Sequence, residues 1–122
     1  MSRADNITKL IKTLATGTPD VEASAVIDND GLMIASALGP DVDDDAVAAM
    51  SAALLGIAER IARELRRGEF EMVMTRGTEG YVIIVRCGRE AVLSVLTSKS
   101  AKIGLIFMDV RRAALELGKL LG

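Results

Sequence analysis

The chain has no histidine and no tryptophan among its 122 residues. The first absence removes the commonest general base and the commonest metal ligand. Aromatic side chains are limited to Phe70, Tyr81 and Phe107, which leaves no platform on which unpaired bases could stack. Cysteine occurs once, at Cys87. One thiol can build neither a disulfide framework nor a zinc site within one chain, so a reducing compartment is expected. Long apolar runs are also missing. The longest near-apolar stretch, Ala46 to Ala58, stops at Glu59 and is too short to span a bilayer. The N-terminus, Met1-Ser2-Arg3-Ala4-Asp5, carries no apolar signal region. A net charge of −2 gives no general attraction to phosphate backbones or anionic lipid. These absences predict a cytoplasmic protein that neither binds nucleic acid nor inserts into a membrane.

Chemical motifs are equally scarce. There is no GxxxxGK[ST], no GxGxxG and no GxSxG. Gly77-Thr78-Glu79-Gly80 is a GxxG, but it joins two strand-like segments of an acidic chain and reads as a hairpin turn. The acidic run Asp41 to Asp45 reads as a helix start rather than a cation cage. Asp28 to Gly31 lacks the chelating glutamate of a calcium loop. Cys87 ends an apolar strand and reads as a core thiol. Ser98, Lys99, Ser100 and Lys102 have no base or carboxylate partner nearby in sequence. No catalytic residue, no cofactor and no metal ligand is expected.

What is present is pattern. Half of the residues are hydrophobic and 26 % are charged, the balance of a single domain with a real core, taken as residues 1–122. Ile7, Leu10, Ile11 and Leu14 have helical spacing within Ala4–Ala15, with Gly17 as the cap and Pro19 as the stop. Val21–Ile27 and Leu32–Ala37 read as strands around Asp28-Asn29-Asp30-Gly31, a strong hairpin signal. Asp43, Asp44 and Asp45 open a helix that reaches Arg67, with Arg60, Arg63, Arg66 and Arg67 at its far end and Gly68 as its cap. This charge order suits the helix dipole.

Three more strands follow. Glu69–Thr75 alternates, with Phe70, Met72 and Met74 on one face. Tyr81–Cys87 and Ala91–Thr97 are apolar on both faces. Ala101–Leu121 forms the last helix. Short turns between strands imply an antiparallel sheet. Strands apolar on both faces imply helices on both sides, most simply two against one. The fold class is α/β in the α+β sense, in the order αββαβββα.

The middle helix has more apolar surface than one sheet can cover. Val47, Met50, Leu54, Ile57, Ile61 and Leu65 form one stripe, expected to bury against the sheet. Ala46, Ala49, Ala53 and Gly56, with the stems of Arg60 and Arg63, form a second. Small residues at this spacing allow two backbones to approach closely, so the second stripe predicts contact with another subunit. The Met-rich strand that follows, if it lies at the sheet edge, could pair with its own copy across a two-fold axis.

The αββαβββα order, the VIDNDGLMIAS hairpin, the Ala-rich long helix and the tail GYVIIVRCGREAVLSVLTSKSAKIGLIFMDVRRAALELGKLL together resemble the roadblock/dynein light chain family. The bacterial and archaeal branch that includes MglB fits best, over about Asn6 to Leu121. The resemblance implies a five-stranded antiparallel sheet with the middle helix on one face and the two terminal helices on the other. It implies a homodimer made by pairing the third strands and the middle helices, and no intrinsic catalysis. The partner it implies is a small Ras-like GTPase, whose hydrolysis the MglB branch stimulates by reshaping the GTPase's own active site. A passive scaffold or adaptor for a signalling or motor complex is the alternative. A small-molecule sensor is a third class and needs an internal pocket. On this resemblance the dimer interface maps to Ala49, Ala53, Gly56, Phe70, Met72, Val73 and Met74, and the partner-binding surface to Arg60, Arg63, Glu64 and Arg67.

Overall fold

Ser2 starts the first helix: its Oγ accepts a hydrogen bond from the Asp5 N–H at 3.1 Å, which satisfies one of the donors a helix start leaves free. The computed structural model describes residues 2–121. Helix α1 spans Arg3–Gly17 and buries Ile7, Ile11 and Leu14. Gly17 is its last residue rather than its cap. Thr18 caps it instead, donating its N–H to the Leu14 carbonyl at 3.0 Å.

Strands β1 (Val21–Asp28) and β2 (Met33–Ala37) form the expected hairpin. Asp28 organises the turn: its carbonyl accepts from the Gly31 N–H at 3.1 Å, and its Oδ1 accepts from the N–H groups of Asp30 and Leu32, each at 2.9 Å. Gly31 sits at φ +90°, a conformation that favours glycine.

Helix α2 spans Asp44–Glu64. Asp43 is its N-cap, with Oδ1 accepting from the N–H groups of Asp45 (3.0 Å) and Ala46 (3.3 Å). The helix ends earlier than Arg67. Arg66 turns left-handed at φ +57°. Its N–H then donates to the Arg63 carbonyl (3.1 Å), and the Arg67 N–H to the Ala62 carbonyl (2.6 Å). This is a Schellman end built on a non-glycine residue. Gly68, also at positive φ, redirects the chain after the helix has already stopped.

Strands β3 (Met72–Gly77), β4 (Gly80–Cys87) and β5 (Ala91–Ser98) precede helix α3 (Ile103–Leu121). The five strands form one antiparallel sheet in the order β2-β1-β5-β4-β3. Helices α1 and α3 cover one face over Ile83, Leu93, Val95, Ile106, Val110 and Leu117. Helix α2 covers the other over Ala25, Ile27, Ile84 and Val92. The α1/α3 core holds 16 buried residues and the α2 core eight. A single helix therefore leaves part of its face of the sheet open.

Candidate interaction surface

Helix α2 meets the sheet through its small residues. Ala48, Ser51, Leu55 and Ala58 are the buried positions. The Ser51 hydroxyl donates to the Ser94 Oγ on β5 at 3.2 Å, and a Cβ added at Gly31 would lie 3.3 Å from the Ala52 Cβ. This close approach reverses the expected orientation. The stripe expected to bury against the sheet instead turns outward: Met50, Ile57, Ile61 and Leu65 are 53–64 % exposed, while Val47 and Leu54 are half-buried. The reason is volume. The sheet already presents Ile27, Ile84 and Val92, so close packing leaves room beneath the helix for Ala48, Ser51 and Ala58 and for one large side chain, Leu55, but not for a full row of them. Ala49, Ala53 and Gly56 are exposed beside the outward stripe, and Ala46 is partly buried.

The outward stripe borders a cleft of about 230 Å³. Val47, Met50 and Leu54 form one wall. Thr75, Val82 and Leu96 form the other, and Ser51 and Ser94 lie at its base. It opens over the half of the sheet that α2 leaves bare.

Strand β3 is the outer edge of the sheet and pairs only with β4. The Arg86 N–H donates to the Glu71 carbonyl at 2.9 Å, and Met72 stands opposite Val85. Alternation along an antiparallel ladder then turns the backbone N–H and C=O groups of Met72 and Met74 outward, away from β4. This is an unpaired edge. Val73 faces the α2 side opposite Ile84, whereas Met72 and Met74 lie with Val85 and Ile83 on the α1/α3 side.

Phe70 does not share the methionine face. It is buried in the α2-side core, because the ladder begins at Met72 and the strand's alternation does not reach back to it. Of the seven residues expected at a dimer interface, Ala49, Ala53 and Gly56 are exposed on α2 and Val73 faces the same side, Met72 and Met74 turn their side chains to the α1/α3 side, and Phe70 is buried.

The two ends of α2 carry opposite charge. Asp41, Asp43, Asp44 and Asp45 stand exposed at its start, and Arg60, Arg63, Arg66 and Arg67 stand exposed at its end. Glu64 is exposed among these cations and pairs with Arg60 at 3.3 Å. Such a solvated pair contributes little to stability. Arg67 donates its Nε–H to the Leu65 carbonyl at 3.0 Å.

Arg86 is the organising residue that sequence reasoning missed. Its Nη2 donates to Glu59 Oε2 on α2 at 3.0 Å. Its Nη1 donates to Asn29 Oδ1 in the β1–β2 turn at 2.7 Å. Its guanidinium lies 5.7 Å from the centre of the Phe70 ring. It thus ties α2, the hairpin turn and the segment before β3 to β4. The one available signal was a lone cation closing an otherwise apolar strand. Next to it, Cys87 is fully buried, and burial pushes its thiol from 9.0 to about 12. That thiol stays protonated near neutrality and is a poor nucleophile. Among the described residues, no group of three or more acidic or thiol side chains is placed to hold a metal ion, and no helix is long and apolar enough to cross a membrane.

A two-over-five-over-one layering with an open middle helix and a free third strand can be compared directly with known proteins. The Roadblock/LC7 domain family matches residues 7–97. The chain belongs to the Roadblock/LC7 family. Two uncharacterized proteins of Methanocaldococcus jannaschii are each 41 % identical to it over 97 residues, covering 80 % of this chain and 84 % of theirs. Among solved structures, Myxococcus xanthus MglB superposes with a TM-score of 0.91 at 20 % identity, covering 99 % of this chain and 91 % of that one. A Roadblock/LC7 domain from Streptomyces avermitilis superposes at 0.86 and 18 % identity, covering 93 % and 96 %. At these identities the structural matches establish the roadblock fold; the expected MglB-like branch agrees with them.

Proposed function

We propose that this roadblock protein is a non-enzymatic homodimeric regulator of a small Ras-like GTPase. The observation that carries the reading is the exposed stripe Met50, Ile57 and Ile61 of α2, with Leu65 just past its end, together with the free edge of β3. With the half-buried Val47 and Leu54, the exposed Met50, Ile57 and Ile61 make a run that steps 3-4-3-4 along α2, the spacing of a helix-pairing seam. Two copies related by a two-fold axis would set their α2 helices antiparallel. The Asp43–Asp45 end of one helix then meets the Arg60–Arg67 end of the other. The same axis lets the outward N–H and C=O groups of Met72 and Met74 pair with their counterparts and join the two sheets. Ala49, Ala53 and Gly56 let the helices approach closely, and Val73 lies at the sheet junction.

Arg60, Arg63, Glu64 and Arg67 would flank the GTPase-facing surface of the paired helices. Binding there acts by favouring the hydrolysis-competent arrangement of the GTPase's switch segments. This chain contributes no reacting group.

Two measurements test the proposal in sequence. Light scattering across a concentration series reads twice the 12.9-kDa chain mass at low micromolar concentration if the seam self-associates. Single-turnover GTP hydrolysis by a Ras-like GTPase of the same organism then accelerates at saturating dimer. Binding without acceleration replaces the activator by the scaffold reading, and absence of both binding and dimer removes the proposal.

A further inference from the structure

A second exposed apolar stripe lies on the opposite side of the molecule, on α3. Leu105, Met108 and Leu115 are 60–71 % exposed. They share one face with Arg112 and Lys119, and the five positions step 3-4-3-4 along the helix. The core needs none of them, because Ile106, Val110, Ala113, Ala114 and Leu117 already fill the inward face. Beside Leu115 a groove of about 280 Å³ runs between α3 and the start of β3, floored by Met72, Val85 and Ala114 with Arg111 on its wall and Glu71 opposite.

Charge identifies the occupant. Helix α3 carries Arg111, Arg112 and Lys119 against Asp109 and Glu116, although the whole chain is acidic at −2. The two acids of α3 lie toward α1, beside Arg112, in the cleft that also holds Thr18. Asp109 there accepts from the Thr18 hydroxyl at 3.0 Å and stands 3.8 Å from Arg112. Arg112 nevertheless remains largely exposed. The outer stripe is therefore apolar and cationic.

A second copy is a poor fit. Two α3 helices paired about a two-fold axis at Arg112 would face Arg112 with Arg112 and Leu105 with Lys119. An in-register parallel pair would oppose both cations with themselves. A membrane is also a poor fit, since only three apolar side chains project from a rigid helix on an acidic protein. We infer that the α3 stripe docks an acidic amphipathic helix of a different protein, with apolar residues at 3-4 spacing against Leu105, Met108 and Leu115 and carboxylates against Arg112 and Lys119. The stripe is separate from the exposed face of α2, while the groove beside it reaches Met72 at the free edge of β3.

The probe is a 21-residue helical peptide with Leu at the a and d positions and Glu at e and g, whose like charges keep it from pairing with itself near neutral pH. Its control carries Lys in place of every Glu. Fluorescence anisotropy is expected to show micromolar binding of the Glu peptide and at least about tenfold weaker binding of the Lys peptide. Amide shifts on the intact chain should map to residues 105–119. The variant R112E/K119E should invert the preference, losing the Glu peptide and gaining the Lys peptide, while Ile57→Asp on α2 should change neither. No binding, binding that charge reversal does not alter, or shifts centred on α2 would each overturn the inference. So would sedimentation with phosphatidylserine-containing vesicles in the absence of peptide binding, which would assign the stripe to a lipid surface.

Discussion

Arg86 Nη2 stands 3.0 Å from Glu59 Oε2, and this pair fastens the last turns of α2 to the end of β4. Both side chains are partly shielded, and Arg86 is also held by Asn29 and stacked near Phe70. Replacing Arg86 with Met keeps the aliphatic stem and removes the donors, leaving Glu59 and Asn29 without them. The expected loss is about 2 kcal/mol, since breaking a shielded pair costs more than the pair is worth. The urea midpoint measures it. A change below about 0.5 kcal/mol would show that water replaces the guanidinium without penalty.

The proposed self-association can be separated from folding because its two elements project outward. Ile57 is well over half exposed, so Ile57→Asp should leave monomer stability within about 0.5 kcal/mol. A carboxylate placed in the α2 seam should weaken dimerisation by at least about a hundredfold. Met72→Pro tests the strand edge. The Met72 N–H points away from β4, so the β3–β4 ladder survives proline while an inter-subunit ladder loses a donor. Light scattering on both variants should read monomer mass with unchanged far-UV circular dichroism. A full dimer in Met72→Pro would confine the seam to the helices.

The left-handed turn at Arg66 is strained for a residue with a Cβ. Glycine relieves that strain, partly offset by the larger freedom it gives the unfolded chain. Arg66→Gly should therefore stabilise the fold by about 0.5–1 kcal/mol. Chemical denaturation reads the gain, and a loss would mean that the Arg66 side chain makes contributions its exposure hides.

Cys87 links stability to alkaline pH. Burial raises the thiol to about 12, against an opposing pull from Arg86. Below about pH 9 the thiol is protonated in both folded and unfolded chains, and its contribution is fully present. Above that, the unfolded chain releases the proton while the folded chain holds it, so stability falls as pH rises toward about 12. Cys87→Ala should flatten this part of the pH profile, measured by urea midpoints between about pH 8 and 11. In the native protein at pH 8, iodoacetamide should label Cys87 only at the rate of unfolding.

Much of the architecture was legible in the residues. Ile7, Ile11 and Leu14 place one face of α1. The doubly apolar runs Val82–Val85 and Val92–Leu96 require cover on both sides of the sheet. Asp28–Gly31 and Asp43–Asp45 mark a hairpin and a helix start by local hydrogen-bonding chemistry that needs no distant partner. The surplus apolar surface of α2 was legible too, because counting side chains on a helix does not require knowing what they touch.

Periodicity could not say which face of α2 meets the sheet. Both expected stripes repeat at the same spacing, and neither is the one that packs: Ile27, Ile84 and Val92 already occupy the interface, and a third face, Ala48, Ser51, Leu55 and Ala58, with a single large side chain, is the one that fits. Phe70 went to the α2 core for a similar reason, since the position at which β3 joins β4 decides where alternation begins. Arg86 gained its role only when the hairpin turn, α2 and β4 converged from 57 and 27 residues away in sequence. The chain by itself determined its elements, its order and its excess of apolar surface. The tertiary structure decided which of that surface stays open, because exclusion by neighbouring volume is a property of the assembled layers and not of any one segment.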